Sequence, residues 1–289
     1  FRSFMKKTVK YFFEAFFVYL SFLFAKIIGL TLSRKLFSFL FKRIGPFIRS
    51  NDIIEKNLNN LPNQYTEQKK NMIKDNMWSN YGMTFIEYIF LKNFKNSKTH
   101  IDIKGEKILD QILLSKTPVI FVSGHFANFE LMSMEITKKK ISLATIYRPL
   151  NNFFLNPFME YLRKKYVCEN QIKKGLSGVK ESIKYISENN SIALMIDQRV
   201  SEGNKIKFFK QDALTTTLPA QLSLKFNLNI VPIFIERKNE TAFIMTVYEP
   251  LKPSNFKDKF KFSLKLSQVL EDMILKNPNQ WIWTHDRWK

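Results

Sequence analysis

A single cysteine, Cys168, stands among 289 residues, so no disulfide forms within the chain and a cysteine-rich zinc site is excluded. The lone thiol fits a reducing cytoplasm for the main body of the protein. Histidine is nearly as scarce, at three, and neither a metal nor an organic cofactor is expected. Linkers, internal repeats and low-complexity blocks are absent too, and a chain of this length can bury one large core. Acidic residues are in short supply: 25 Asp and Glu face 46 Lys and Arg, a formal charge of +21. The expected partners are therefore anionic. No recognisable nucleic-acid-binding motif accompanies that charge, so nucleic acid is not among them. Nor is there an uninterrupted run of about twenty apolar residues of the kind a clean membrane span uses.

The first fifty residues come nearest to such a run. They hold ten Lys or Arg against one acid, Glu14; residues 15–25 are eleven uncharged positions and residues 27–33 add seven more. Two arrangements fit. Residues 11–32 span a bilayer if Glu14 and Lys26 reach toward opposite interfaces. Alternatively a helix lies in the headgroup plane with Lys6, Lys7, Lys10, Arg34 and Lys35 on anionic lipid. Both make 1–50 a membrane anchor or interfacial helical segment ahead of a body over 51–289. A cleavable signal peptide fits less well, because the basic and apolar pattern continues through Phe41, Lys42 and Arg43 with no small-residue cleavage site. The chain begins at Phe1 rather than Met, and its natural start is expected upstream.

The body reads as alternating helices and strands. Met72, Met77, Trp78, Tyr81, Phe85 and Ile89 recur at helical steps within residues 66–94, the pattern of core packing. Strands are expected at 119–123, 142–147, 192–197, 230–236 and 242–249, with helices at 129–138, 153–166, 175–188, 218–226 and 259–275. That order predicts an α/β fold with a mainly parallel central sheet flanked by helices.

Chemistry concentrates in Pro118-Val-Ile-Phe-Val-Ser-Gly-His-Phe-Ala-Asn-Phe-Glu130. A continuous apolar run closed by a small residue is a strand covered on both faces that turns sharply at its carboxyl end. Ligands of open α/β sheets sit just beyond such ends, where His125 falls. Positions five apart lie about 140° from each other on a helix, so His125 belongs before the helix and Glu130 in its first turn. There a carboxylate can fix the imidazole tautomer while the helix N-terminus disfavours the imidazolium. A second reading makes His125 a cap and Glu130 a complement to the helix dipole. Two further strands end in polar residues, Arg148-Pro149 and Asp197-Gln198-Arg199, collecting a base, two guanidinium groups and a second carboxylate on one sheet edge.

A set of motifs extends this pattern: Gly124-His-Phe-Ala-Asn-Phe-Glu130, Tyr147-Arg-Pro-Leu150, Lys174-Gly-Leu-Ser-Gly178, Ile196-Asp-Gln198, Phe208-Phe209, residues 213–220, Val231-Pro232 and the terminal stretch 278–289. In this order, over roughly residues 8 to 289, the chain resembles the lipid A late acyltransferases of Gram-negative bacteria, the lauroyl and myristoyl transferase family. The resemblance implies transfer of a fatty acyl group from acyl carrier protein to a hydroxyl of a lipid A precursor, as in secondary acylation of Kdo-lipid IVA, at the cytoplasmic face of the inner membrane. It makes 51–289 the acyltransferase domain. By the same resemblance His125 takes the acceptor proton, Glu130 orients or charge-tunes it, and Arg148 binds phosphate or steadies the thioester oxyanion. Asp197, Gln198, Lys174 and Asn128 join Arg148 on the substrate side. Two departures stand out: Lys174 occupies a position where relatives carry Arg, and Lys210 follows Phe208-Phe209 where Gly is usual.

The chemistry fits that implication, since an activated thioester needs only a base, an oxyanion donor and an apolar slot. The basic surface suits an acidic carrier protein and a phosphorylated glycolipid. A glycerophosphate-type acyltransferase fits less well, because its Glu-Gly-Thr-Arg phosphate loop is missing; Glu202-Gly203 runs on into Asn204. An acyltransferase for another glycolipid or phospholipid, and a non-enzymatic basic membrane-binding protein, are the alternatives.

Overall fold

A computed structural model describes residues 2–289, with side chains from Met5 onward; Phe1 lies outside the described residues. The chain opens with α1 (Arg2–Ile48), bent at Gly29, whose φ of 80° is open to glycine at little cost. Beyond it come α2 (Asn51–Leu58), α3 (Glu67–Glu87) and α4 (Leu91–Asn96), the last two joined by one tight turn over Tyr88–Phe90. Thr66 starts α3 by accepting the Lys69 N–H, one of the donors a helix leaves unpaired at its N-terminus.

The α/β body follows: β1 (Ile101–Lys104), α5 (Glu106–Ser115), β2 (Ile120–Ser123), α6 (Glu130–Lys138), β3 (Leu143–Tyr147) and α7 (Asn156–Leu162). A π-helical turn (Arg163–Val167) leads into β4 (Asn170–Lys173), α8 (Leu176–Ser187) and β5 (Ser191–Met195). A hairpin of β6 (Asn204–Phe208) and β7 (Gln211–Thr215) precedes α9 (Leu218–Phe226), β8 (Ile230–Arg237), β9 (Phe243–Val247) and α10 (Lys259–Lys276). Asp258 caps α10 by accepting the Phe260 and Lys261 N–H groups.

Seven strands form one sheet in the order β1-β9-β8-β2-β5-β3-β4. The pairs from β8 to β4 are all parallel, as is β1 with β9, and only β8 with β9 is antiparallel. The sheet is therefore mainly parallel, as expected. The expected strand over 242–249 exists as β9, but it returns directly from β8 as a hairpin and so runs against the parallel majority.

Both sheet faces are covered, which is why β2 is buried at all four positions. Phe121 faces one cluster, which it shares with Leu131 and Met134 of α6 and with Phe22, Ala25 and Phe37 of α1. Ile120 and Val122 face the other, with Leu222 of α9, Leu270 of α10, Trp281 and Trp283. Burying a Phe side chain contributes about 1.5–3 kcal/mol, so the α1 residues are part of what holds the body together.

The outward side of α1 is different. Phe13, Phe16, Phe17, Leu20, Leu23 and Ile27 are 50–76% exposed and recur at three- and four-residue steps. Met5–Ile48 is the one helix among the described residues long and apolar enough to cross a membrane by length and composition, with a mean hydropathy of 2.0 in its most apolar window.

Candidate active site

The adjacent parallel strands β2, β5, β3 and β4 deliver four of the expected residues to one sheet edge. His125 lies just past β2, Asp197 past β5, Arg148 directly after β3 and Lys174 directly after β4. Backbone pairing continues beyond the strands: Ile196 N–H donates to Ser123 O at 2.9 Å and Lys174 N–H to Tyr147 O at 2.8 Å. The strand ends are thus held in register up to the functional residues.

Gly124 makes the turn after β2 because a Cβ there would stand 2.7 Å from the Phe126 ring and 3.0 Å from Leu270. His125 precedes α6 and Glu130 begins it, as the spacing predicts. Between them Ala127 takes a left-handed φ of 44°, a conformation that non-glycine residues adopt at a cost. Its N–H donates to Gln280 O at 3.0 Å and its carbonyl accepts the Thr84 hydroxyl at 2.9 Å.

His125 finds its carboxylate in Asp197. The imidazole Nδ1 lies 2.8 Å from Asp197 Oδ1, and the His125 backbone N–H donates to Oδ2 at 2.8 Å. A third donor, the Trp281 indole N–H, reaches Oδ2 at 2.9 Å. Asp197 is 1% exposed. Burial alone raises a carboxyl's pKa, but the imidazole and these hydrogen bonds outweigh it and hold Asp197 down at about 2. An ionised carboxylate only accepts, so Nδ1 carries a proton, and in the neutral ring the lone pair is therefore on Nε2. Among the described residues nothing is hydrogen-bonded to Nε2, and the ring, 18% exposed, packs edge-on against Phe129 with centroids 4.6 Å apart.

Glu130 is engaged elsewhere. Its Oε1 accepts the Arg163 Nε–H at 2.7 Å and the Tyr88 hydroxyl at 2.6 Å, and Arg163 also donates to Tyr88 at 3.1 Å. Among the described residues no hydrogen bond joins Glu130 to His125. Direct orientation of the imidazole by Glu130 is therefore not what this geometry contains; the carboxylate instead pairs a guanidinium whose side chain is 12% exposed. The π-helical turn that starts at Arg163 aims that guanidinium inward, where it also lies over the Tyr147 ring.

The remaining expected residues divide into two groups. Arg148 is exposed and near enough to Lys174 that desolvation, and then the guanidinium, lower the ammonium's pKa. Gln198 is half-buried beside Asp197. Asn128, by contrast, is 1% exposed and donates to Glu87 Oε2 at 2.9 Å, away from open solvent. Arg199 does not join the edge either, since its Nε–H donates to Lys289 O. Trp281, Arg163, Tyr88 and Glu87 were not expected at the site. Only Trp281 had a signal, its place in the terminal motif.

The terminal segment completes the wall behind Asp197. Phe126 and Trp281 form an antiparallel bridge, and His285 Nε2 accepts the Arg199 N–H at 2.9 Å while burial lowers its pKa. Arg287 is 1% exposed, stacks on Phe208 and donates to Leu214 O and Thr215 Oγ1.

The profile of the family described as bacterial lipid A biosynthesis acyltransferase matches residues 4–289. The chain is 24% identical over 263 residues to the lipid A biosynthesis palmitoleoyltransferase of Escherichia coli (strain K12), covering 87% of this chain and 84% of that protein. Identity and coverage are the same for the lipid A biosynthesis acyltransferase of Shigella flexneri. Among solved structures, the 1-acyl-sn-glycerophosphate (LPA) acyltransferase PlsC of Thermotoga maritima superposes with a TM-score of 0.43 at 13% identity, over 88% of this chain and all of that one.

Proposed function

The chain belongs to the bacterial lipid A biosynthesis acyltransferase family, and from that premise we propose a division of roles for its acyl transfer. The donor is a fatty acyl thioester of acyl carrier protein, the acceptor a hydroxyl of a phosphorylated lipid A precursor such as Kdo-lipid IVA, and the base is His125. The acceptor hydroxyl gives its proton to Nε2 as its oxygen bonds to the thioester carbonyl carbon. The tetrahedral intermediate then collapses with cleavage of the C–S bond, and the imidazolium returns the proton to the departing thiolate.

The observation that carries this reading is the buried Asp197 bonded to Nδ1 at 2.8 Å. It fixes the tautomer, leaves Nε2 as the basic nitrogen and stabilises the imidazolium that forms. Glu130 acts one layer out, holding Arg163 and the start of α6. Arg148 and Lys174, two cations on the same edge, take either the acceptor's phosphate or the oxyanion. A planar guanidinium suits both.

The reading also assigns α1 to the cytoplasmic face of the inner membrane. Its outward row of Phe13, Phe16, Phe17, Leu20 and Ile27 is an apolar face with no protein covering it, flanked by Lys6, Lys7 and Lys10. An apolar face beside cations suits anionic lipid.

The test is acyl transfer by the purified, detergent-solubilised protein. Acyl carrier thioester or acyl coenzyme A is supplied with either a tetra-acylated lipid A precursor or a lysophospholipid, and products are read by mass spectrometry. We expect one added acyl chain on the glycolipid from the carrier-protein donor, and His125→Ala to lower kcat by roughly a hundredfold to ten-thousandfold. Acylation of the lysophospholipid alone would replace the acceptor. Near-normal turnover by His125→Ala would remove the base.

A further inference from the structure

We propose that Glu87 is a positioning residue for the His125 turn, acting through Asn128, and that it ties α1 to that turn. The proposal rests on His125 being the base.

Glu87 closes α3 and is 0% exposed. Four N–H donors converge on its carboxylate. Oε1 accepts Arg34 Nε from α1 at 2.6 Å and Arg237 Nη1 from β8 at 2.6 Å. Oε2 accepts Arg237 Nη2 at 3.0 Å and Asn128 Nδ2 from the turn at 2.9 Å. Burial opposes ionisation, but the two guanidinium groups prevail and keep the Glu87 pKa below its usual range.

Stability alone is a poor reason for this cluster. Two guanidinium groups face one carboxylate, so a surplus positive charge is buried, and Arg34 Nη2 has no hydrogen-bond partner. Both guanidinium groups lie over the Phe243 ring, which offsets part of that cost. Well-packed apolar residues usually hold such a site at least as firmly. What apolar residues cannot supply is a fixed acceptor for Asn128.

That acceptor matters because the turn is strained and is held only by its ties. Ala127 has φ 44°, and its carbonyl accepts from Thr84, one helical turn before Glu87 on the same face of α3. Arg237 reaches the same Thr84 hydroxyl at 3.4 Å. The Gln280 side chain clasps the Arg237 backbone, accepting its N–H at 2.7 Å and donating to its carbonyl at 2.9 Å, while the Gln280 carbonyl takes the Ala127 N–H. Three of these ties end on the two residues that follow Phe126, from Thr84 and Gln280 to Ala127 and from Glu87 to Asn128, and Glu87 is the charge at which α1, α3, β8 and the turn meet. With Asn128 released, the turn can relax from its left-handed conformation and displace His125 from Asp197.

The test compares Asn128→Ala with wild type in full-length, detergent-solubilised protein. This change cuts the tie to Glu87 and leaves both guanidinium pairs intact. It orphans nothing, because Glu87 Oε2 keeps the Arg237 Nη2 donor and Asn128 Oδ1 has no partner as it stands. We expect kcat per folded molecule to fall by roughly a hundredfold, the cost of a small misplacement of reacting groups. KM for donor and acceptor should stay within about twofold of wild type, as for an interaction made only in the transition state. The His125 ring resonance should shift in proton NMR while the unfolding midpoint barely moves. Thr84→Val, which cuts the tie to Ala127, should show the same split more weakly.

Wild-type kcat in both variants, with an unmoved His125 resonance, would overturn the proposal. So would a failure of both to fold, which would assign the ties to stability. If His125→Ala is fully active, the fault lies in the assignment of the base, an outcome read independently of Asn128.

Discussion

Asp197→Asn isolates the chemistry of the site from its shape. Two of the three donors to Asp197, the His125 backbone N–H and the Trp281 indole N–H, converge on Oδ2. In the variant the amide oxygen must take that position, because an NH2 group there faces two donors at 2.8 and 2.9 Å. The NH2 group is thereby turned to His125 Nδ1, which becomes an acceptor, and the imidazole proton moves to Nε2. The base is then blocked at the nitrogen that should receive the acceptor's proton. The variant also loses the attraction between carboxylate and imidazolium, about 4 kcal/mol for charge centres about 4 Å apart at an effective dielectric near 20. That difference corresponds to about a thousandfold in kcat. Steady-state acyl transfer to the glycolipid acceptor should show the loss in kcat with KM nearly unchanged, and nitrogen NMR of labelled histidine should report the proton on Nε2. Acid stability adds a check. Asp197 sits at about 2 against an ordinary 3.8, so the stability its ionisation contributes is complete above about pH 4 and lost as pH falls toward 2. The variant should lack that dependence. A kcat within tenfold of wild type, or an unchanged tautomer, would refute the role given to Asp197.

Glu130→Gln should have the opposite balance: it removes the charge partner of buried Arg163 and costs about 2 kcal/mol, a fall of about 4 °C in Tm by calorimetry. Its effect on kcat should be smaller than that of Asp197→Asn; the reverse order would make Glu130 the partner of His125. Lys210→Gly should stabilise the β6–β7 hairpin by about 0.5–1 kcal/mol, because Phe209 and Lys210 both have positive φ, 48° and 64°. A lower unfolding midpoint in denaturant would contradict that account of the turn. Replacing Phe13, Phe17 and Phe24 together by Ser removes half-exposed rings, each contributing about 1 kcal/mol if buried in lipid. Vesicle flotation should then show roughly a hundredfold weaker partition, whereas undiminished binding would place the membrane contact elsewhere. These three positions leave Phe22, Ala25 and Arg34 in place, which deletion of residues 1–35 would not.

What was legible in the sequence follows from burial. β2, β3, β5 and β8 carry runs such as Ile120-Phe-Val-Ser123 because both faces of a parallel sheet are covered, and their ends placed His125, Arg148 and Asp197 on one edge. The edge strands β1 and β4 were not visible: Ile101-Asp-Ile-Lys104 and Asn170-Gln-Ile-Lys173 are four residues each, with too few apolar positions to mark a strand. The β6–β7 hairpin was hidden for a different reason. Its two-residue turn has the left-handed geometry that Asn-Gly ordinarily signals, but Phe209 and Lys210 stand there. The pairing of His125 with Asp197 lay beyond local reading, since the two are 72 positions apart and meet only because β5 lies beside β2. Glu130 offered the nearer carboxylate by spacing, yet the first turn of α6 directs it to Arg163, whose inward aim depends on a π-helical turn that no local pattern announces. The same logic accounts for Glu87. Nothing in the periodicity of α3 distinguishes it from a surface acid, and its meaning appears only when α1, β8 and the turn after β2 close around it. Spacing along the chain therefore located the residues near the reaction, while their assignment to one another required the order of the strands.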